Sequence, residues 1–446
     1  MFTSIRLRNF KSYRDSRAIP LAPLTVIVGQ NNAGKSSILH AILMLKQTLQ
    51  DKNKNAPLIT SGPFAELGGF RELLHGKEVA TRQTITIDLA TLPQGMEVMG
   101  LPGEKSKVGL GTDLSVTFSF DARANRIRVA AVKLSRQAKA VIDVKRAGSV
   151  WEAGKYTKAA RKHGRLDFLH FLPRLNLAGK KPKSERDAKL TLALSLLLHV
   201  QAEVWSQLFE EVRHIAPLRL PVPWFAMLGK TPSSDLGTGG ENLLRVLADE
   251  TQRGKTKQRI VKLVDEWMSK RFAMLKKLRL VDVDSAGTVR SLVADETDGF
   301  KAINVAAMGE GLSQMLPIVA RVLMGRTGEC LLVEQPEIHL HPRAQADLAD
   351  LFVDNIRQSK NRQYIVETHS EHLLLRVRRR VAEGRISPDK VGVLYVERRG
   401  QESVVRRLKL NGKGHFDDWP EGFFEEGYQE ALKLAEVSTG ARGKAK

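Results

Sequence analysis

The chain has 446 residues, with 71 Lys and Arg against 49 Asp and Glu, a formal charge of +22 and an isoelectric point near 10.0. That surplus favours a polyanionic partner, nucleic acid before a membrane surface, although a basic protein that merely gathers anions has the same balance. The single cysteine, Cys330, excludes an intrachain disulfide framework, and no apolar run approaches the ~20 residues that cross a bilayer, so a soluble chain in a reducing cytoplasm is expected.

Phe2, Ile5, Leu7 and Phe10 read as an opening strand, with Arg6 already too polar for a signal peptide. Lys11-Ser12-Tyr13 and a turn into Pro20 follow, then the strand Leu24-Thr25-Val26-Ile27-Val28. Next come Gly29-Gln30-Asn31-Asn32-Ala33-Gly34-Lys35-Ser36 and Ser37, leading into a helix with Ile38, Leu39, Ile42, Leu43 and Leu45 on its apolar face. In that strand-to-helix setting the pattern has a mechanism. Glycines let backbone N–H groups curl around phosphates, Lys35 neutralises the outer ones, and the Ser36 hydroxyl ligates Mg²⁺. The helix N-terminus adds partial positive charge at the same place. A nucleoside triphosphate, ATP with Mg²⁺, is the expected ligand.

Residues 57–77, rich in Gly and Pro, read as a loop, and 84–89 and 114–118 as strands of period two. Residues 121–190 hold nineteen Lys and Arg against six Asp and Glu, among them Lys155, Lys158, Arg161, Lys162, Arg165, Lys180, Lys181 and Lys183. Trp151, Tyr156 and Phe168 are interleaved, as on a surface that holds phosphates and stacks bases. A solvated insertion would look the same. A long helix is expected over 190–215, two more over 241–250 and 256–274, and strands over 278–283 and 289–293.

Four stretches follow. Gly309-Glu310-Gly311-Leu312-Ser313-Gln314 precedes a helix, offering Ser313 and a helix N-terminus as a second anion site. Leu331-Leu332-Val333-Glu334-Gln335-Pro336 is a buried strand ending in an acid, Glu334, suited to hold the metal's water shell. Glu337-Ile338-His339-Leu340-His341-Pro342 leads into a helix over 343–357. Tyr364-Ile365-Val366-Glu367-Thr368-His369-Ser370 is a strand whose terminal histidine caps the next helix. Strands at 391–396 and 404–410, joined at Arg399-Gly400, and Trp419-Pro420-Glu421-Gly422-Phe423-Phe424 close the pattern.

In order and spacing these motifs resemble the ABC/SMC-like ATPases, in their compact RecF- and OLD-like branch, over residues 1–90 and 195–446. The resemblance makes Asn9-Phe10-Lys11-Ser12 the family's opening turn, Gly309–Gln314 its signature, Glu337–His341 its D-loop and His369 its switch histidine. It implies an α/β fold, an ABC-type ATPase head with helices on both faces of the phosphate-loop sheet, an N-terminal antiparallel part and a helical lobe. The expected units are 1–120 with the phosphate loop, 121–190 the basic insertion, 191–300 the helical lobe, 301–390 the second half of the head, and 391–446 a hairpin and tail. It also implies a dimer or higher oligomer around ATP, each site joining the loop of one subunit to Gly311 and Ser313 of the other.

Three departures stand out. The signature is not L-S-G-G-Q, no Q-loop glutamine occurs in 56–76, and Glu334-Gln335 replaces Asp-Glu, so the usual base is a glutamine. Glutamine orients water but cannot take its proton, and general-base help is worth ~10²–10⁴ in rate, so slow hydrolysis is expected, with Glu334, Gln335 and His369 as the catalytic set. Several relatives of this kind are antiphage ATPases that act beside a nuclease, Septu and PARIS among them. The OLD-type nuclease domain has no counterpart after Ser370. The leading expectation is therefore an ATP-operated switch of a bacterial antiphage system, controlling an effector, a nuclease, supplied in trans. A RecF-like repair or recombination ATPase that binds DNA is the alternative, and an ATP-closed DNA clamp a third, weakened by the lack of a long coiled coil.

Overall fold

The computed structural model describes residues 1–77, 83–92, 97–98, 108–109, 112–136, 139–147, 150–153, 165–176, 184–229, 235–250, 259–359, 361–419 and 433. The expected basic residues Lys155, Lys158, Arg161, Lys162, Lys180, Lys181 and Lys183, and the segment after Trp419 up to Phe424, lie outside them.

Leu24–Gly29 is apolar without alternation because both of its faces are covered, as in parallel sheets flanked by helices. It lies inside a six-stranded sheet ordered Val212–Ile215, Cys330–Glu334, Gln363–Glu367, Leu24–Gly29, Val391–Arg399, Glu402–Leu408. The first five strands are parallel and the last two form an antiparallel hairpin. Successive side chains point to opposite faces, so Ile27, Leu332, Ile365 and Leu394 join one core while Val26, Val333, Val366 and Val393 join the other. The first core also packs the helix Lys35–Gln50 and an antiparallel sheet; the second packs the helices Glu310–Met324, Pro342–Gln358 and Glu371–Ala382.

The antiparallel sheet begins with Phe2–Phe10, which pairs with Tyr13–Asp15, Ile19–Pro20 and Thr84–Thr91. It continues through Asp113–Asp121, Arg126–Arg136, Lys139–Ala147 and Val150–Glu152. The basic stretch thus begins inside this sheet, since Arg126–Arg136 pairs along Asp113–Asp121. Gln363 ties the two sheets together: its side chain accepts from Phe2 N–H at 2.9 Å and donates to Phe2 O at 2.7 Å and Ala22 O at 3.1 Å.

Three expectations change. The long helix runs over Glu185–Glu210, and Val212–Ile215 is instead the outer strand of the parallel sheet, bonded to Cys330–Val333. The helical spacing of apolar residues carries on through Val212 and Ile215, but two β-branched residues beside a waiting strand edge are better used as a strand. The helix expected over 256–274 is Arg259–Glu266 followed by a π-turn, Trp267–Arg271. The loop 57–77 contains a helical turn, Phe70–Leu73. Among the described residues no helix is long and apolar enough to cross a membrane.

Candidate functional site

The phosphate loop is held from behind. Gly34, at φ +98°, precedes the helix Lys35–Gln50, and a Cβ there would sit 2.3 Å from Ser12 Oγ and 2.8 Å from Ser403 Oγ. Tyr13 donates its hydroxyl to Gly34 O at 3.0 Å, Ser403 donates Oγ–H to Ala33 O at 2.5 Å, and Ser403 N–H donates to Ser12 O. Gly29 is equally confined, since a Cβ would meet Val396 O at 2.0 Å. Gln30, Asn31 and Asn32 are exposed, Ala33 and Ser37 buried, and no side chain caps the helix, which leaves its N-terminus to a phosphate.

Lys35 Nζ donates to Gly29 O at 3.0 Å and Gln30 O at 2.7 Å, within its own loop. Burial lowers its pKa, against the charges of Glu367 and Glu337. Ser36 Oγ donates to Glu367 Oε1 at 2.8 Å. Glu367 is 3% exposed, and burial pushes its carboxyl up to about 7 although the Ser36 bond opposes this. Its Oε2 is buried without a hydrogen-bond partner.

Glu334, expected to hold the metal's water shell, faces two histidines. Oε1 lies 2.7 Å from His214 Nε2 and Oε2 lies 3.4 Å from His40 Nε2. Burial raises this carboxyl, and the two histidine bonds more than reverse that, holding it down to about 2. Gln335 leaves the strand with φ +43°, unusual for a residue with a side chain, its N–H bonded to Glu367 O at 2.8 Å. Glu337 accepts from His369 N–H at 2.6 Å and Thr368 Oγ–H at 2.7 Å. Burial raises its pKa against those bonds. His369 is exposed, and the next helix is capped by Ser370, whose Oγ accepts from Leu373 N–H, rather than by the histidine.

Gly311 lies in the first turn of Glu310–Met324, where a Cβ would touch His339 O at 2.9 Å, so glycine is what lets the helix reach the turn after Pro336. Ser313 is 5% exposed within its own chain, whereas Gly309 opens onto free space. Trp151 and Phe168, expected as stacking platforms, pack on each other with ring centroids 4.4 Å apart.

The structure therefore brings together the loop 29–37, Glu334, Gln335 and His369, and adds His40, His214, Arg219, Glu337 and Glu367. Glu367 carried a readable signal: Tyr364-Ile365-Val366-Glu367 repeats the apolar-strand-to-acid pattern of Leu331–Glu334.

Mg²⁺ takes one or two protein oxygens, keeps several waters and completes its shell on phosphates. Ser36 Oγ, the unpartnered Glu367 Oε2 and the nearby charge of Glu334 fit that demand. Among the described residues no cluster of three or more His, Cys, Asp or Glu could hold a metal by itself.

A family model described as "AAA ATPase domain" matches residues 1–92, and one described as "AAA domain, putative AbiEii toxin, Type IV TA system" matches 158–376. The first contains the phosphate loop and the second every acid just described. Both models describe AAA-type ATPase domains, so the residues of the phosphate loop and those acids lie in segments similar to such domains. A third model, "Protein of unknown function (DUF3696)", matches 386–434. The chain is 45% identical over 60 residues to the DNA double-strand break repair Rad50 ATPase of Sulfolobus acidocaldarius, covering 13% of this chain and 7% of that protein. Over 45 residues it is 42% identical to an ATP/GTP phosphatase of Helicobacter pylori, covering 10% and 12%. Both matches span a small fraction of the relative's length. Among solved structures, an SMC head bound to the C-terminal winged-helix domain of ScpA aligns at 16% identity and TM-score 0.44, over 92% of this chain and 98% of that one. The SMC head of Thermotoga maritima aligns at 11% and 0.39, over 92% and 99%.

Proposed function

We propose that the chain binds Mg·ATP on residues 29–37, hydrolyses it slowly, and acts as a cytoplasmic ATP-operated switch of an antiphage system, as a dimer or larger assembly controlling a nuclease effector supplied in trans. The observation that carries the nucleotide part is the Lys35–Ser36–Glu367 arrangement at an uncapped helix N-terminus. On ATP binding, Lys35 exchanges the carbonyls of Gly29 and Gln30 for phosphate oxygens. Ser36 and Glu367 would hold Mg²⁺, which would supply neutralisation of phosphate charge there. Gln335 orients the attacking water through its side-chain carbonyl, and His369, with its main chain anchored by Glu337, faces the terminal phosphate. With no carboxylate at position 335 the proton has no strong acceptor there, and turnover is slow.

The defence part is supported by the toxin–antitoxin description of the model matching 158–376. Assembly is supported by exposed apolar side chains on either side of Arg219, at Leu218, Leu220, Trp224, Phe225 and Met227. The exposed N-terminus of the helix at Gly309–Gly311 is the better candidate than the buried Ser313 hydroxyl for reaching a neighbouring nucleotide.

Lys35→Ala should abolish ATP binding without unfolding the chain; undiminished affinity refutes the site. Single-turnover hydrolysis should be slow in the wild type and faster in Gln335→Glu. A wild type that turns over several times per second, or a variant that is no faster, places the base elsewhere.

The second reading, a RecF-like DNA repair ATPase, is favoured by the charge of +22 and the short likeness to Rad50. It requires nucleic-acid affinity that falls with salt by roughly 0.7–0.9 in log K against log salt per phosphate contact. Charge reversal of Arg161, Lys162 and Arg165 should then weaken it with ATP affinity unchanged. Equal binding by both proteins returns the stretch to a solvated insertion.

A further inference from the structure

Arg219 is 4% exposed, and its hydrogen bonds go to residues outside the phosphate loop. Its guanidinium is spent on main-chain carbonyls. Nη1 donates to Pro217 O at 2.9 Å and Gln335 O at 3.1 Å, with Ala216 O and Glu334 O farther off at 3.4 and 3.5 Å. Nη2 reaches Pro336 O at 3.5 Å and Nε reaches Gln314 O at 3.3 Å. The main chain of Arg219 is also engaged, because Gln314 Nε2 donates to Arg219 O at 2.9 Å and Gln314 Oε1 accepts from Arg219 N–H at 3.4 Å.

A guanidinium this deeply buried and bonded to carbonyls alone is a costly way to fill space. What it holds is specific. On one side is the left-handed exit of the strand Cys330–Glu334, which carries Gln335 and, two residues on, Glu337. On the other is the helix Glu310–Met324, whose first turn meets the same segment again where Gly311 lies against His339 O. The helix thus grips the turn at two points, and its N-terminus is the end left open to a neighbour.

We infer that Arg219, with Gln314, is a positioning residue: it couples the helix Glu310–Met324 to the Gln335 turn, so that whatever engages the helix N-terminus sets the placement of Gln335 and Glu337. This deepens the ATPase reading and rests on it. Arg219 acts through the carbonyls of the turn and not on the nucleotide.

The test uses the full chain, with AMP-PNP affinity and single-turnover ATP hydrolysis measured in Mg²⁺. Arg219→Lys keeps the charge and loses the planar fork. It should leave AMP-PNP affinity within about threefold while lowering the hydrolysis rate about tenfold or more. Gln314→Met should do the same, and it carries the test alone if Arg219→Lys fails to fold. The double variant should be no slower than the slower single one, because the two residues work as one unit. A rate unchanged in both variants overturns the inference, as does a loss of rate matched by an equal loss of affinity or a double variant in which the two losses multiply. A wild type that binds AMP-PNP and never hydrolyses ATP overturns the ATPase reading, and the inference with it. Normal hydrolysis in both wild type and variants overturns the inference alone.

Discussion

Lys46 tests whether a buried ammonium in the phosphate-loop helix costs what its surroundings imply. It is 1% exposed, donates to Phe209 O at 3.0 Å, and sits 5.0 Å from the centre of the Phe64 ring. Burial, with the charge of Arg213 adding to it, lowers its pKa from 10.5 to about 8. At about 1.4 kcal/mol per pH unit, that gap opposes folding by about 3 kcal/mol while the lysine is charged in both states. Between pH 8 and 10.5 the unfolded chain keeps the proton that the folded chain has released, so folding stability rises with pH there. Lys46→Met removes this dependence and leaves the Phe209 carbonyl without its donor, a loss of about 1–3 kcal/mol. The two effects nearly offset at pH 7. Urea unfolding at pH 7 and pH 10 should therefore show the wild type gaining about 2–3 kcal/mol on the variant. Parallel stabilities across that range, within about 1 kcal/mol, refute the reasoning, since every other titrating group is common to both proteins.

Gly34→Ala should lower stability by about 1–3 kcal/mol through its positive φ and the contact with Ser12 Oγ, and should erase the thermal shift given by Mg·ATP. Adding Ser12→Ala relieves the contact but not the φ, so only part of the stability should return. Gln363→Leu should cost about 2–4 kcal/mol, because Phe2 loses partners for both its N–H and its C=O; a loss under about 1 kcal/mol means that the sheets are joined by other means. Cys330 is 3% exposed and burial pushes its thiol up to about 12, so a thiol reagent should modify it only at the rate of global unfolding. Rapid labelling under native conditions would show that the strand Cys330–Glu334 opens locally.

The phosphate loop was legible because its chemistry is local: an apolar strand, glycines at positive φ and a helix lie within about 25 consecutive residues, and each needs only its neighbours. Glu334 was legible as a buried strand-end acid, but not its partners. His214 belongs to a strand that the apolar spacing assigns to a helix, and that strand exists only because Cys330–Val333 offers an edge far along the chain. His40 lies on the partly buried side of the phosphate-loop helix, where a histidine gives no signal of what it faces. Arg219 was unreadable for a related reason. Its partners are carbonyls, which every residue has, so no residue type marks the contact. For Ser313, motif order told which helix mattered and could not tell how deeply its first turn is seated.

The pairing of Leu24–Gly29 also has a consequence for synthesis. Leu24 lies between Tyr364 and Val391, strands made roughly 340 residues later. At about 5–20 residues per second, the ribosome needs on the order of half a minute to deliver them. Throughout that interval Leu24-Thr25-Val26-Ile27-Val28 is an uncharged, β-prone segment with both edges open, the composition that recruits other nascent chains. Phe2–Phe10 can meanwhile pair with Tyr13–Asp15, a contact of short sequence separation, and with Thr84–Thr91 as soon as that strand is made. The strand that leads into the phosphate loop, among the first parts synthesised, is thus among the last to gain its two neighbours.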